Sequence, residues 1–185
     1  MSATTYRRFI YELCASCAEG VYSTKAPSKA YAERVTSLMF MTMAHESAQF
    51  TATRQFGIPW EIDLGAWGLC QVERGSVIDS LKLLERTPLL ADNAAKWVAM
   101  SNRAEIEPLL AMTPGQVLRM LPMSERLSVL FCRLHYLRVL APVPTGIEAC
   151  AEYAKRYYNT YAGKATPEDY SNAYRTAMSG IKEAA

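Results

Sequence analysis

Apolar residues recur at three- and four-residue steps along most of this chain, and one central stretch breaks the rhythm. From about Thr5 to Glu19, Phe9, Ile10, Leu13 and Cys17 mark one side of a first helix, with Gly20 as its stop. Pro27 and Ser28 close the turn STKAPS and start a second helix, predicted from about Lys29 to Ala48. Within it Met39, Met43, Glu46 and Phe50 fall at helical offsets, so an ionisable side chain shares a face with an apolar stripe. The pattern then fails. Phe50 to Asp63 mixes threonines and aromatics with Gly57 and Pro59, and reads as an irregular loop or small hairpin. Gly65-Ala66-Trp67-Gly68 forces a turn, after which Leu69 to Val72 resumes regular structure.

Beyond Gly75 the helical period returns and persists. SVIDSLKLLER places Val77, Leu81 and Leu84 on one side. Further helices follow from Asp92 through Trp97, in IEPLLAM, and after Thr113, where Pro114 suits a first helical position. SERLSVLFCRLHYLRVL is the clearest amphipathic segment, and Pro142 and Pro144 close it. GIEACAEYAKRYYNTYAG and a last helix from about Pro167 to Lys182, capped by Thr166, complete the chain. The fold class is therefore mostly α, with a small β element or irregular loop around residues 50–65. At 185 residues it is expected to form a single domain.

Composition narrows the function classes. A charged fraction of 21% and a formal charge of +2, with basic residues scattered among acidic ones, give no phosphate-binding stripe and no nucleic-acid partner. The most apolar run, Ser37 to Ala44, is too short to cross a bilayer, so no membrane insertion is expected. Arg7 and Arg8 precede an apolar patch soon broken by Glu12, which does not read as a signal peptide. Five cysteines at irregular spacing argue for free thiols and a reducing compartment of synthesis. Cys14 and Cys17 have C-x-x-C spacing with no second pair, and read as small apolar helix residues.

The candidate chemistry centres on Glu46. His45-Glu46-Ser47-Ala48-Gln49 is not a zinc motif, because Gln49 stands where a second imidazole is needed. No metal and no organic cofactor are expected. A carboxylic acid that protonates a poor leaving group near neutral pH needs a raised pKa, and burial against apolar neighbours supplies one. Glu46, placed among Met39, Met43 and Phe50, fits that requirement.

Glu46-Ser47 with Phe50 just beyond, followed by Gly65-Ala66-Trp67-Gly68-Leu69-Cys70-Gln71, resembles the catalytic region of lytic transglycosylases and goose-type lysozymes. There E-S-x-x-F precedes G-x-x-G-L-x-Q; here Cys70 stands where methionine is usual. AEYAKRYYNTYAG resembles the superfamily's Tyr-Asn helix, with Tyr158 and Asn159 as the pair. The resemblance covers residues 28–175, a lysozyme-like catalytic core, and leaves residues 1–27 as an extra N-terminal helix.

It implies cleavage of the β-1,4 bond between N-acetylmuramic acid and N-acetylglucosamine in bacterial peptidoglycan, with Glu46 as general acid. A second carboxylate, where one is used, would be Asp63, Glu61 or Glu73; lytic transglycosylases use the sugar's own 6-hydroxyl instead. Ser47, Gln71, Tyr158 and Asn159 would contact or orient substrate, and Trp60, Trp67 and Tyr157 could stack on sugar rings. Without a signal peptide, the substrate is reached most simply by a phage-encoded protein, carried in the virion beside other tail or injected proteins, or released from the host cytoplasm at lysis. The alternative is a phage structural or adaptor protein that keeps the fold without turnover.

Overall fold

The computed structural model describes residues 1–55, 65–98, 106–159 and 163–182. Among them the chain is mostly α, with nine α-helices and one two-stranded sheet.

The first helix, α1 (Ala3–Gly20), begins where Ser2 accepts the Thr5 N–H. Its buried side carries Ile10, Leu13, Cys14, Cys17 and Ala18, while Phe9 turns outward. Cys14 and Cys17 are thus core residues, and all five cysteines are free and buried. Packed against α1 is α2 (Lys29–Glu46), whose residues Leu38 to Ala44 are all buried. A helix with no exposed face over two turns is a central one. It contacts α1, α7 (Glu125–Leu137), α8 (Ile147–Ala154) and α9 (Pro167–Lys182). The N-terminal helix is therefore part of the same contiguous core.

Two residues earlier than the sequence predicted, α2 stops. Ala48, Gln49 and Phe50 take φ of 48°, 62° and 66°, a left-handed turn built from non-glycine residues. Each such residue costs about 1–2 kcal/mol, and local bonds offset that cost. The Ser47 hydroxyl donates to the Met43 carbonyl and accepts the Phe50 N–H at 2.8 Å. The Ser47 carbonyl accepts from the N–H groups of Thr51 and Ala52 at 2.9 and 2.8 Å. Gln49 Nε2 ties the turn to the Ala173 carbonyl on α9 at 3.0 Å. Phe50 leaves the helical face of Glu46 and folds back onto Phe40, ring centroids 5.2 Å apart.

The β element lies slightly later than residues 50–65: β1 (Ala66–Trp67) pairs antiparallel with β2 (Val72–Glu73). Arg54 bridges to Trp67, so the described start of the predicted irregular stretch does join the sheet. Positive φ at Gly68 (73°) and Gln71 (47°) returns the chain within four residues. A side chain at position 68 would meet Ser128 Oγ at 2.5 Å and Leu121 Cβ at 2.8 Å, so the turn presses onto α7.

The remaining helices are α3 (Arg74–Arg86), α4 (Pro88–Val98), α5 (Ile106–Ala111) and α6 (Pro114–Met120). Thr113 and Gln116 form a reciprocal cap on α6, with Pro114 in the first turn as predicted. Thr166 and Asp169 cap α9 in the same manner. After α8 the helix widens into a π turn, Lys155–Asn159. Among the described residues no helix is long and apolar enough to cross a membrane.

Candidate functional site

The end of α2, the β1–β2 turn, the start of α3 and the π turn enclose a cleft of about 610 Å³. Glu46, Gln55, Gln71, Glu73, Ser76, His135, Tyr158 and Asn159 line it. Its position follows from the breaks in regular structure. The left-handed turn ends α2 at Glu46, so the carboxyl projects from a buried helix end. The π turn interrupts the last helical hairpin, a kind of irregularity common at functional sites.

Tyr170 of α9 donates its phenolic hydrogen to Glu46 Oε1 in a short hydrogen bond. The amide of Asn159 bonds the same carboxyl. Lys155 Nζ donates to Asn159 Oδ1 at 3.1 Å and to the Gly163 carbonyl at 2.7 Å, which orients the amide so that its nitrogen faces the acid. A Cβ at position 163 would lie 1.7 Å from Asn159 Oδ1, so only glycine fits there. His45 packs its ring on Tyr170 at 4.1 Å.

Burial pushes the Glu46 carboxyl above its ordinary pKa, and the neighbouring Glu73 pushes in the same direction. The hydrogen bonds from Tyr170 and Asn159, together with His45, hold back that rise. The phenols of Tyr158 and Tyr170 are driven upward by burial, so both stay protonated donors. What results is a partly dry acid with fixed donors on one side and an open cleft on the other. Such a group can give a proton to an atom lodged in the cleft and take one back.

Of the sequence candidates, Glu46, Gln71, Tyr158 and Asn159 come together here, with Glu73 beside them. Gln71 donates from Nε2 to the Gly68 carbonyl at 3.0 Å. The Tyr158 hydroxyl donates to the Cys70 carbonyl at 2.5 Å, and its ring meets His135 at 4.4 Å. Tyr158 thus clamps the π turn to the β1–β2 turn while its ring faces the cleft.

Ser47 is elsewhere. It is 0% exposed, and its hydroxyl is spent on the left-handed turn, so its part is to end α2 beneath Glu46 and not to touch a ligand. Trp67 is likewise 0% exposed, packed under the Arg54 guanidinium at 3.9 Å, and is a core residue with no ring face free for a sugar. Tyr157 packs on Tyr153 at 4.6 Å and lines a neighbouring cavity instead. Trp60, Glu61 and Asp63 lie outside the described residues. Among the described residues no group of three His, Cys, Asp or Glu side chains is placed to hold a metal.

Comparisons with known protein families, curated proteins and solved structures find no match to this chain. The site must therefore speak through its own geometry.

One cleft residue, His135, and two that support the cleft from behind, Tyr170 and Lys155, carry little functional signal in the sequence. Tyr170 occupies the apolar face of α9 with Ala173 and Ala177, and an i, i+3, i+7 pattern reads as core. Its hydroxyl is what the pattern hides. Lys155 reaches the acid through Asn159, four residues on, and that i, i+4 spacing is the clue the sequence holds. His135 sits in the amphipathic segment SERLSVLFCRLHYLRVL, where a lone histidine at a helix end carried no distinctive signal.

Proposed function

We propose that this chain is a lysozyme-like glycosidase that cleaves the β-1,4 bond between N-acetylmuramic acid and N-acetylglucosamine in peptidoglycan. The observation that carries the reading is the half-buried Glu46 carboxyl, its pKa raised, held by Tyr170 and Asn159 at the wall of an open cleft. The order of the three motifs around Glu46, Gln71 and Tyr158-Asn159 supports it from the sequence side.

In this reading Glu46 gives its proton to the glycosidic oxygen as the bond to the anomeric carbon breaks. Tyr170 and Asn159 then stabilise the carboxylate left behind, because each donates to it. Either the muramic acid 6-hydroxyl attacks the anomeric carbon, returning its proton to Glu46 and closing a 1,6-anhydro ring, or water attacks and leaves a reducing end. Glu73, in the same cleft, is the described carboxylate available to activate a water; Asp63 and Glu61 are the other candidates. Gln71 and Tyr158 line the path of the glycan, and Trp60 is the remaining candidate for ring stacking. No metal or organic cofactor enters the reaction.

A phage setting fits such an enzyme, in the virion or released at lysis. Mass spectrometry of purified particles separates the two. Mass analysis of fragments released from purified peptidoglycan tests the activity itself. Anhydro-muropeptides identify a lytic transglycosylase and reducing muropeptides a muramidase. Release of neither overturns the enzymatic reading in favour of an adaptor that keeps the fold.

A further inference from the structure

A second cavity, of about 390 Å³, opens beside the cleft and shares His135 with it. Asp79, Lys82, Arg86, Arg138 and Tyr157 are among its other lining residues. Asp79, Lys82 and Arg86 are spaced by three and four residues, so they form one stripe along α3. Ser76, one step earlier on that stripe, already faces the cleft. The stripe therefore leads from the proposed reaction site into the second cavity.

The charges in it do not cancel. Arg138 Nη1 pairs with Asp79 at 2.9 Å, while Nη2 donates to Ser76 Oγ at 2.9 Å and to His135 Nδ1 at 2.7 Å. His135 uses its other nitrogen to donate to the Tyr157 carbonyl at 2.7 Å, so the ring is neutral and adds no charge. Burial, with Arg138 beside it, lowers its pKa to about 4. With Asp79 matched, the exposed Lys82 and Arg86 remain as cations in excess, and neither is paired with any described residue. Arg138 Nε is buried without a hydrogen-bond partner.

We propose that this cavity is a subsite for the carboxylates of the peptide stem that peptidoglycan carries on its muramic acid. The proposal rests on the glycan-cleaving reading above and names what that site would prefer. Lys82 and Arg86 receive the carboxylates, and Arg138 forms a fixed floor between them and the cleft. Length agrees with this assignment. Ser76 to Arg86 spans about 15 Å of helix at ~1.5 Å per residue. An extended peptide of about four or five residues covers the same distance.

The test uses the full chain carrying Glu46→Gln, so that ligands survive, and calorimetric titration with two soluble probes. One is a disaccharide bearing its tetrapeptide stem; the other is the same disaccharide without peptide. The stem-bearing probe is expected to bind about tenfold more tightly, and Lys82→Ala with Arg86→Ala to remove that preference. Both side chains are exposed, and melting temperature checks that the variant folds. The charge-preserving pair Lys82→Arg with Arg86→Lys should keep the preference. Equal binding of both probes, or a preference unchanged by the alanine pair, overturns the subsite. A clear stem preference in a protein whose native form releases no fragments would leave the subsite standing and remove the glycosidase reading.

Discussion

Tyr170, 124 residues downstream of Glu46, donates its phenolic hydrogen to that carboxyl and so links the C-terminal helix to the end of the central one. The bond favours the charged form of the acid, against burial, which favours the neutral form. The balance between the two sets the pH range over which Glu46 holds a proton.

Replacing Tyr170 with Phe removes the donor while keeping the ring against His45. The Glu46 pKa should then rise further, because a group that stabilised the carboxylate is gone. A general acid acts in its protonated form, so the basic limb of the kcat/KM profile should move to higher pH. The plateau should fall about tenfold for one lost transition-state hydrogen bond. Asn159→Ala should shift the limb in the same direction. A limb that stays or moves to lower pH, measured on a soluble glycan oligomer, contradicts this arrangement.

His135 predicts how stability depends on pH. Its folded pKa is about 4 against an ordinary 6.5. The unfolded chain therefore takes up a proton at this residue below 6.5 while the folded chain does not. Stability from this group is full above 6.5 and is lost as pH falls towards 4, by up to about 3 kcal/mol. Denaturant melts at pH 7, 6, 5 and 4 should show a slope in that window, and His135→Gln should flatten it. An unchanged slope in the variant assigns the effect to other groups.

Two glycines predict stability and placement separately. Gly68→Ala meets a positive φ of 73° and contacts of 2.5 and 2.8 Å from Ser128 and Leu121, and should cost about 2–4 kcal/mol in a melt. Gly163→Ala would strike the side chain of Asn159, which then leaves Lys155 and the acid. It should lower fragment release more than it lowers melting temperature. Equal release by Gly163→Ala and the native chain would show that Asn159 does not need its present position.

Much of this was legible in the sequence, because helical periodicity reports burial directly. The α1, α2, α7 and α9 segments follow their apolar spacing, and the caps at Thr113 and Thr166 follow their side-chain chemistry. Glu46, Gln71, Tyr158 and Asn159 were singled out and lie together in one cleft. What stayed hidden depends on geometry that no residue type announces. Three non-glycine residues at positive φ end α2 early, and nothing in Ala48-Gln49-Phe50 signals that turn. The motif resemblance implies that Ser47 contacts or orients substrate, whereas its buried hydroxyl serves that same hidden turn. Lys82 and Arg86 lie some fifty residues from Arg138 in sequence; packing α3 against the end of α7 gathers them.

The central claim is that the Glu46 carboxyl delivers the proton. It is tested most directly by the initial rate of fragment release from purified peptidoglycan, native chain against Glu46→Gln. Glutamine keeps the shape and cannot donate that proton, so the rate should fall at least ~100-fold, with an unchanged circular dichroism spectrum. Equal rates from the two proteins would contradict the account.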